Sequence, residues 1–132
     1  MKGSCLCKSI QYECDSLTGG IVNCHCNLCR KAHAAPYAPT ARVERTHFRW
    51  LQGSQFLQSY ESSPGKLRHF CSICGSQLMA ERVHQHHIIL RVATLDDAPQ
   101  NSVTSHIWCS QDVSWLADTE GTHYFDEWQP SG

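Results

Sequence analysis

Polar and apolar residues alternate along much of the chain, and short strands are the element this predicts. Ser9-Ile10-Gln11-Tyr12-Glu13-Cys14 switches residue by residue, the period of a strand with one buried face. Thr18-Gly19-Gly20 punctuates, and Ile21-Val22-Asn23-Cys24 opens a second strand. Asn27 to His33 lacks β-branched residues and predicts one or two helical turns, with Pro36 and Pro39 blocking anything longer. Tyr37 to Trp50 reads as extended. Phe56 to Tyr60, Leu67 to Cys71, Ser76 to Arg82, His87 to Ala93 and Ser105 to Cys109 read as further strands, with Pro64-Gly65 as a turn. The tail after Trp115 carries no clear period. Many short strands with little helix predict an all-β fold.

The chain has 132 residues, the size of one domain, and no internal repeat or linker divides it. Lysine plus arginine number 11 against 12 acidic residues, a net charge of −1 that argues against nucleic acid as a partner. No apolar run is long enough for a membrane span, and Met1-Lys2-Gly3-Ser4-Cys5 lacks the apolar stretch of a signal peptide. A cytoplasmic protein is expected, with no membrane partner.

Cysteine changes the picture. There are 9, and seven fall in three groups: Cys5-x-Cys7, Cys24-x-Cys26-x-x-Cys29 and Cys71-x-x-Cys74. An odd count without a secretory context points to metal ligation rather than disulfides. The 16 and 41 residues between groups are closed at a few kcal/mol of chain entropy, whereas a structural zinc returns about 10–16 kcal/mol.

Zinc takes four ligands in a closed site and three protein ligands in an open one, and seven thiols divide as four and three. Cys71-Ser72-Ile73-Cys74-Gly75 has the form of a zinc knuckle, whose glycine permits a positive φ. Cys5 and Cys7 supply its missing pair. Cys24, Cys26 and Cys29 then form the second site, either open for chemistry or closed by His25, His33, Cys14 or Cys109. Three thiolates on Zn²⁺ leave a formal charge of −1, suited to exchanging a soft fourth ligand such as a sulfur. Arg30 and Lys31 either offset that charge and hold a substrate carboxylate or form a solvated turn.

Other residues attract plainer readings. His84, His86 and His87 suit a polar hairpin tip; His25 can serve the second site from behind, and His106 can line a pocket. Cys14 and Cys109 read as small buried hydrophobes, and Trp50, Trp108, Trp115 and Trp128 as core or rim. Serine-hydrolase elbows and phosphate loops are absent, and no strand–helix alternation supports a thioredoxin-like dithiol.

Gly3-x-Cys5-x-Cys7, Cys24-His25-Cys26-x-x-Cys29-Arg30-Lys31 and Phe70-Cys71-x-x-Cys74-Gly75, in this order, resemble the glutathione-dependent formaldehyde-activating enzyme family, which includes centromere protein V. The similarity continues through Ala35-Pro36-Tyr37, Phe48, Gly53, Tyr60-x-Ser62-Ser63-Pro64, Arg68, Leu95-Asp96, His106-Ile107-Trp108 and Trp115, over about residues 2–128 as one zinc-binding domain. The resemblance implies an Mss4-like folded-sheet architecture, a structural zinc on Cys5, Cys7, Cys71 and Cys74, and a more labile zinc on Cys24, Cys26 and Cys29. It also implies carbon–sulfur lyase chemistry on an adduct of formaldehyde and a small-molecule thiol, glutathione foremost. Lys8 stands where a glycine is common and Asn27 where a serine is common. The competing expectation is a non-catalytic, zinc-stabilised protein-binding module, and the fourth ligand at the second site separates the two. The oligomeric state is not fixed by the sequence.

Overall fold

The computed structural model describes residues 1–116 and 120–130. It contains ten strands and one α-helix: β1 Lys2–Ser4, β2 Gln11–Cys14, β3 Thr18–Cys24, α1 Asn27–His33, β4 Ala38–Glu44, β5 Phe48–Gln52, β6 Leu57–Ser63, β7 Lys66–Cys71, β8 Gln77–Arg82, β9 His87–Arg91 and β10 Val103–Ile107. The mainly-β expectation holds, and most predicted strands lie within a residue or two of their observed bounds.

The strands form two sheets. A small one runs β1-β2-β5, and a larger one runs β10-β3-β4-β9-β8-β7-β6. Every pairing is antiparallel except β10 on β3. The buried faces of both sheets meet in one core. Ile10, Tyr12 and Cys14 come from the small-sheet side, and Val43, Leu78, Ile88 and Leu90 from the large sheet. Tyr12 stacks on Phe48 at 5.3 Å between ring centroids, and its hydroxyl meets Thr94 Oγ1 at 2.7 Å, so its polar tip is satisfied.

Three local differences from the sequence reading have physical causes. β1 was not expected, because Lys2-Gly3-Ser4 has no alternating apolar side chain; its middle residue is glycine because a Cβ there would lie 2.2 Å from the Tyr12 ring. Thr18-Gly19-Gly20 belongs to β3 rather than to a turn, its register against β4 breaking between Thr18 and Val22. β10 ends at Ile107, and Trp108 takes left-handed backbone at φ 60°, so Cys109 is exposed in a 3-10 turn instead of buried in a strand. Cys14 is buried as expected. Trp50 packs against the core, whereas Trp108, Trp115 and Trp128 are exposed. Residues 83–86 form the turn between β8 and β9, the hairpin tip expected around His84 and His86.

Candidate functional site

Cys5 and Cys7 lie on the turn between β1 and β2, Cys71 closes β7, and Cys74 lies in the turn before β8. Their four Sγ atoms all lie within 4.8 Å of one another. The Cys5–Cys7 and Cys7–Cys71 separations are 3.6 and 3.9 Å. Sulfurs about 2.3 Å from a tetrahedral zinc would be about 3.8 Å apart, so the donor set fits that ion. One amide turns toward the sulfurs, Ile10 N–H donating to Cys5 Sγ at 3.3 Å, while Gly75 N–H, at φ 80°, closes the Cys71–Cys74 turn by donating to the Cys71 carbonyl at 2.8 Å. Burial pushes the Cys5 thiol up to about 11. Cys74 is also pushed up by burial, but hydrogen bonds from Ser76 and from the Cys7 backbone outweigh this and bring it down to about 5. Lys8, after the second cysteine, has φ 64°. This is the left-handed region in which glycine carries no steric cost.

The second group is local. Cys24 ends β3, Cys26 caps α1, and Cys29 lies in its first turn. Cys26 Sγ accepts the Cys29 N–H at 3.3 Å, and the helix stops at Ala34 in left-handed backbone. The three Sγ atoms lie within 4.8 Å of one another, and no fourth His, Cys, Asp or Glu joins them among the described residues. His25 is held elsewhere by both ring nitrogens, Nδ1 to Asp112 Oδ1 and Nε2 to His106 Nδ1, each at 2.9 Å. A carboxylate only accepts, so with His25 neutral its Nδ1 carries the proton and its Nε2 accepts from His106. The same bond holds the Asp112 carboxyl below its usual range. Tyr37 packs against the His25 ring at 4.8 Å between centroids. Cys14 lies in the core and Cys109 on the surface, so neither closes the cluster.

Two buried arginines face these thiols. Arg68, on β7, is 4% exposed; its Nε donates to Ser62 Oγ at 2.8 Å, and both terminal nitrogens lie 3.8 Å from Cys29 Sγ. Arg91, at the end of β9, is the second. A hydrogen bond with Cys24, then the charge of Arg91 and the hydrogen bond from Arg68, outweigh burial and bring Cys29 down to about 4; the hydrogen bond between the two thiols, with burial, pushes Cys24 up. His33 is driven down to about 4 by burial and by Arg91, which keeps it neutral. Cys24 and Cys29 open onto a cavity of about 500 Å³ whose wall also includes Lys66, Arg91, Arg42 and Ile107.

Arg30 and Lys31 lie on α1 away from this wall. Arg30 Nη2 donates to Asn27 Oδ1 at 2.9 Å, and both residues border a separate hollow with Trp115. His106 is exposed on β10 and lies outside the cavity wall, while the adjacent Ile107 is part of it. Sequence reasoning missed Asp112 and Arg91. Asp112 sits 87 residues from its partner His25, and nothing in a strand-like His87-Ile88-Ile89-Leu90-Arg91 marks its arginine as buried.

The family model for glutathione-dependent formaldehyde-activating enzymes matches residues 1–111, most of the chain. The chain belongs to that family. Membership of the formaldehyde-activating family brings with it the Mss4-like folded-sheet class, with which the two sheets agree. The family match ends at Gln111, short of the 2–128 extent read from the sequence, and it includes all seven clustered cysteines. A crystal structure of a Rhodobacter sphaeroides protein is similar in fold, with TM-score 0.65 and 24% identity, covering 79% of this chain and 100% of that one. No curated protein matches the chain. Among the described residues no helix is long and apolar enough to cross a membrane.

Proposed function

We propose that the protein is a zinc-dependent carbon–sulfur lyase that makes or cleaves a thiol–aldehyde adduct such as S-hydroxymethylglutathione. The observation that carries this reading is the group of three thiols, which no fourth His, Cys, Asp or Glu joins among the described residues, with Cys24 and Cys29 opening on a cationic cavity. Cys5, Cys7, Cys71 and Cys74 would hold a structural zinc that fastens the two sheets. Cys24, Cys26 and Cys29 would hold the second. Zinc bound there supplies stabilisation of a sulfur as thiolate when the carbon–sulfur bond breaks.

The chain's own residues do the rest. Arg68 directs two nitrogens at Cys29 and favours its anionic form. Asp112 and His106 hold the His25 ring from both sides, which fixes the backbone between Cys24 and Cys26. Cleavage of the adduct releases a thiolate, formaldehyde and the hydroxyl proton. The described residues lining the cavity include no carboxylate and no histidine, so that proton goes to water.

Cys26→Ser tests the reading. Serine stays protonated near neutral pH and is a poor zinc ligand. Formaldehyde release from hydroxymethyl thiols should fall at least about a thousandfold, about 4 kcal/mol of barrier, while the melting temperature moves less than about 5 °C. Zinc-loaded wild-type protein that accelerates no adduct would leave the non-catalytic binding module in its place.

A further inference from the structure

Lys66 shares a cavity wall with Cys24 and Cys29 and takes no step in the lyase chemistry. It opens β7, half-buried, directly after the Pro64-Gly65 turn. No ion pair among the described residues includes it, and the described residues of the wall offer it no carboxylate. Its charged neighbours are Arg68 on its own strand, Arg82 opposite it on β8, Arg91 on β9 and the thiol of Cys29 on α1.

Three guanidinium groups against one thiolate disfavour a further positive charge at this place. Zinc does not reverse the balance, because Zn²⁺ with three thiolates carries the same −1 as a Cys29 thiolate alone. Burial, then the charges of Arg91 and Arg68, hold the Lys66 ammonium below the usual lysine range, with Cys29 opposing and Arg82 adding. A lysine so placed presents more neutral, nucleophilic amine near neutral pH than an exposed one does.

We propose that Lys66 is an aldehyde-capture residue, whose Nζ adds reversibly to formaldehyde in the cavity it shares with Cys24 and Cys29. The Nζ lone pair forms a bond to the carbonyl carbon, the carbonyl π pair moves to oxygen, and one proton passes from nitrogen to that oxygen. The product is a carbinolamine, made from amine and aldehyde with no other reactant. Its collapse returns formaldehyde beside the thiols. The proposal rests on the lyase reading only for the identity of the aldehyde.

The chain has four lysines, Lys2, Lys8, Lys31 and Lys66, so one sample carries its own controls. Zinc-loaded wild-type protein is treated briefly at pH 7 with isotope-labelled formaldehyde and cyanoborohydride. The hydride reduces the iminium formed when a carbinolamine loses water, and peptide mass spectrometry reads the methylation of each lysine. An exposed lysine, of pKa about 10.4, is only about 0.04% neutral at pH 7, so Lys66 should be methylated at least about fivefold faster than any of the other three. The advantage should shrink toward pH 10, where exposed amines also lose their protons, and vanish in guanidinium chloride. Equal rates at pH 7, or an advantage that survives unfolding, overturns the proposal. Formaldehyde release keeps the two readings apart. Fast methylation of Lys66 in a protein that cleaves no adduct would retain the capture residue and refute the lyase. Adduct cleavage by a protein whose Lys66 reacts no faster than the other lysines would do the reverse.

Discussion

Cys71→Ser probes the part of the molecule on which both sheets depend. Cys71 is fully buried in the shared core, and its sulfur lies 3.9 Å from that of Cys7, 64 positions earlier. Closing a loop of that length costs about 4 kcal/mol, which the proposed structural zinc, worth about 10–16 kcal/mol, would offset. Losing one of four thiolates removes about a quarter of the metal's contribution, or about 3–4 kcal/mol. The hydroxyl left among apolar neighbours adds about 1–3 kcal/mol. The sum, about 4–7 kcal/mol, compares with a total stability of about 5–15 kcal/mol for a domain. At about 4 °C per kcal/mol, thermal melting followed by circular dichroism in excess zinc should drop by about 15–30 °C. Cys14→Ser is the control, because Cys14 is equally buried in the same core but has no metal group. It should lose only the hydroxyl cost, about 4–12 °C, whether or not zinc is present. Equal, zinc-independent drops for the two variants would refute the structural-metal argument.

Other outcomes follow from the same geometry. A chelator should remove about one zinc equivalent early from the three-thiol group with circular dichroism unchanged, and the second only with unfolding; simultaneous release counts against an open site. Lys8→Gly should raise stability by about 0.5–1 kcal/mol, since relief of left-handed backbone at φ 64°, about 1–2 kcal/mol, exceeds the added freedom of glycine in the unfolded chain; urea melts measure it, and a lower midpoint contradicts it. Asp112→Asn should weaken zinc at the three-thiol group about tenfold by loosening His25, with the four-thiol group unaffected in competition titrations. An unchanged affinity removes Asp112 and His25 from any positioning role.

Much of this fold was legible because strand alternation and cysteine spacing are local signals. Gln11 to Cys14 and Gln77 to Arg82 alternate or cluster apolar residues enough to declare themselves, and α1 lies where the absence of β-branching placed it. β1 was hidden because its three residues express their strand only through a partner, the Tyr12 ring over Gly3. Both cysteine groups were visible from composition and order. The electrostatic surroundings were not. Arg68 and Arg91 look like ordinary strand charges until the sheet brings β7 and β9 to the end of β3, and Asp112 reaches His25 only because β10 lies parallel to β3.

The two cysteine groups also differ in how much chain each must wait for. Cys24, Cys26 and Cys29 span six residues, whereas the four-thiol group cannot be complete until Cys74 has been made, 45 residues after Cys29. At about 5–20 residues per second of synthesis, the interval is about 2–9 s. During that time the short-range thiols are the complete metal-binding set on the nascent chain, and the fold-defining pair Cys5 and Cys7 stands half assembled. A chain made under zinc scarcity therefore meets the ion first at the group with least influence on its architecture. On the proposed zinc reading, zinc would join the four-thiol group, by transfer or as a second ion, once Cys71 and Cys74 meet Cys5 and Cys7. On that reading, the order of the cysteines lets the three-thiol group take up an ion before the four-thiol group is complete.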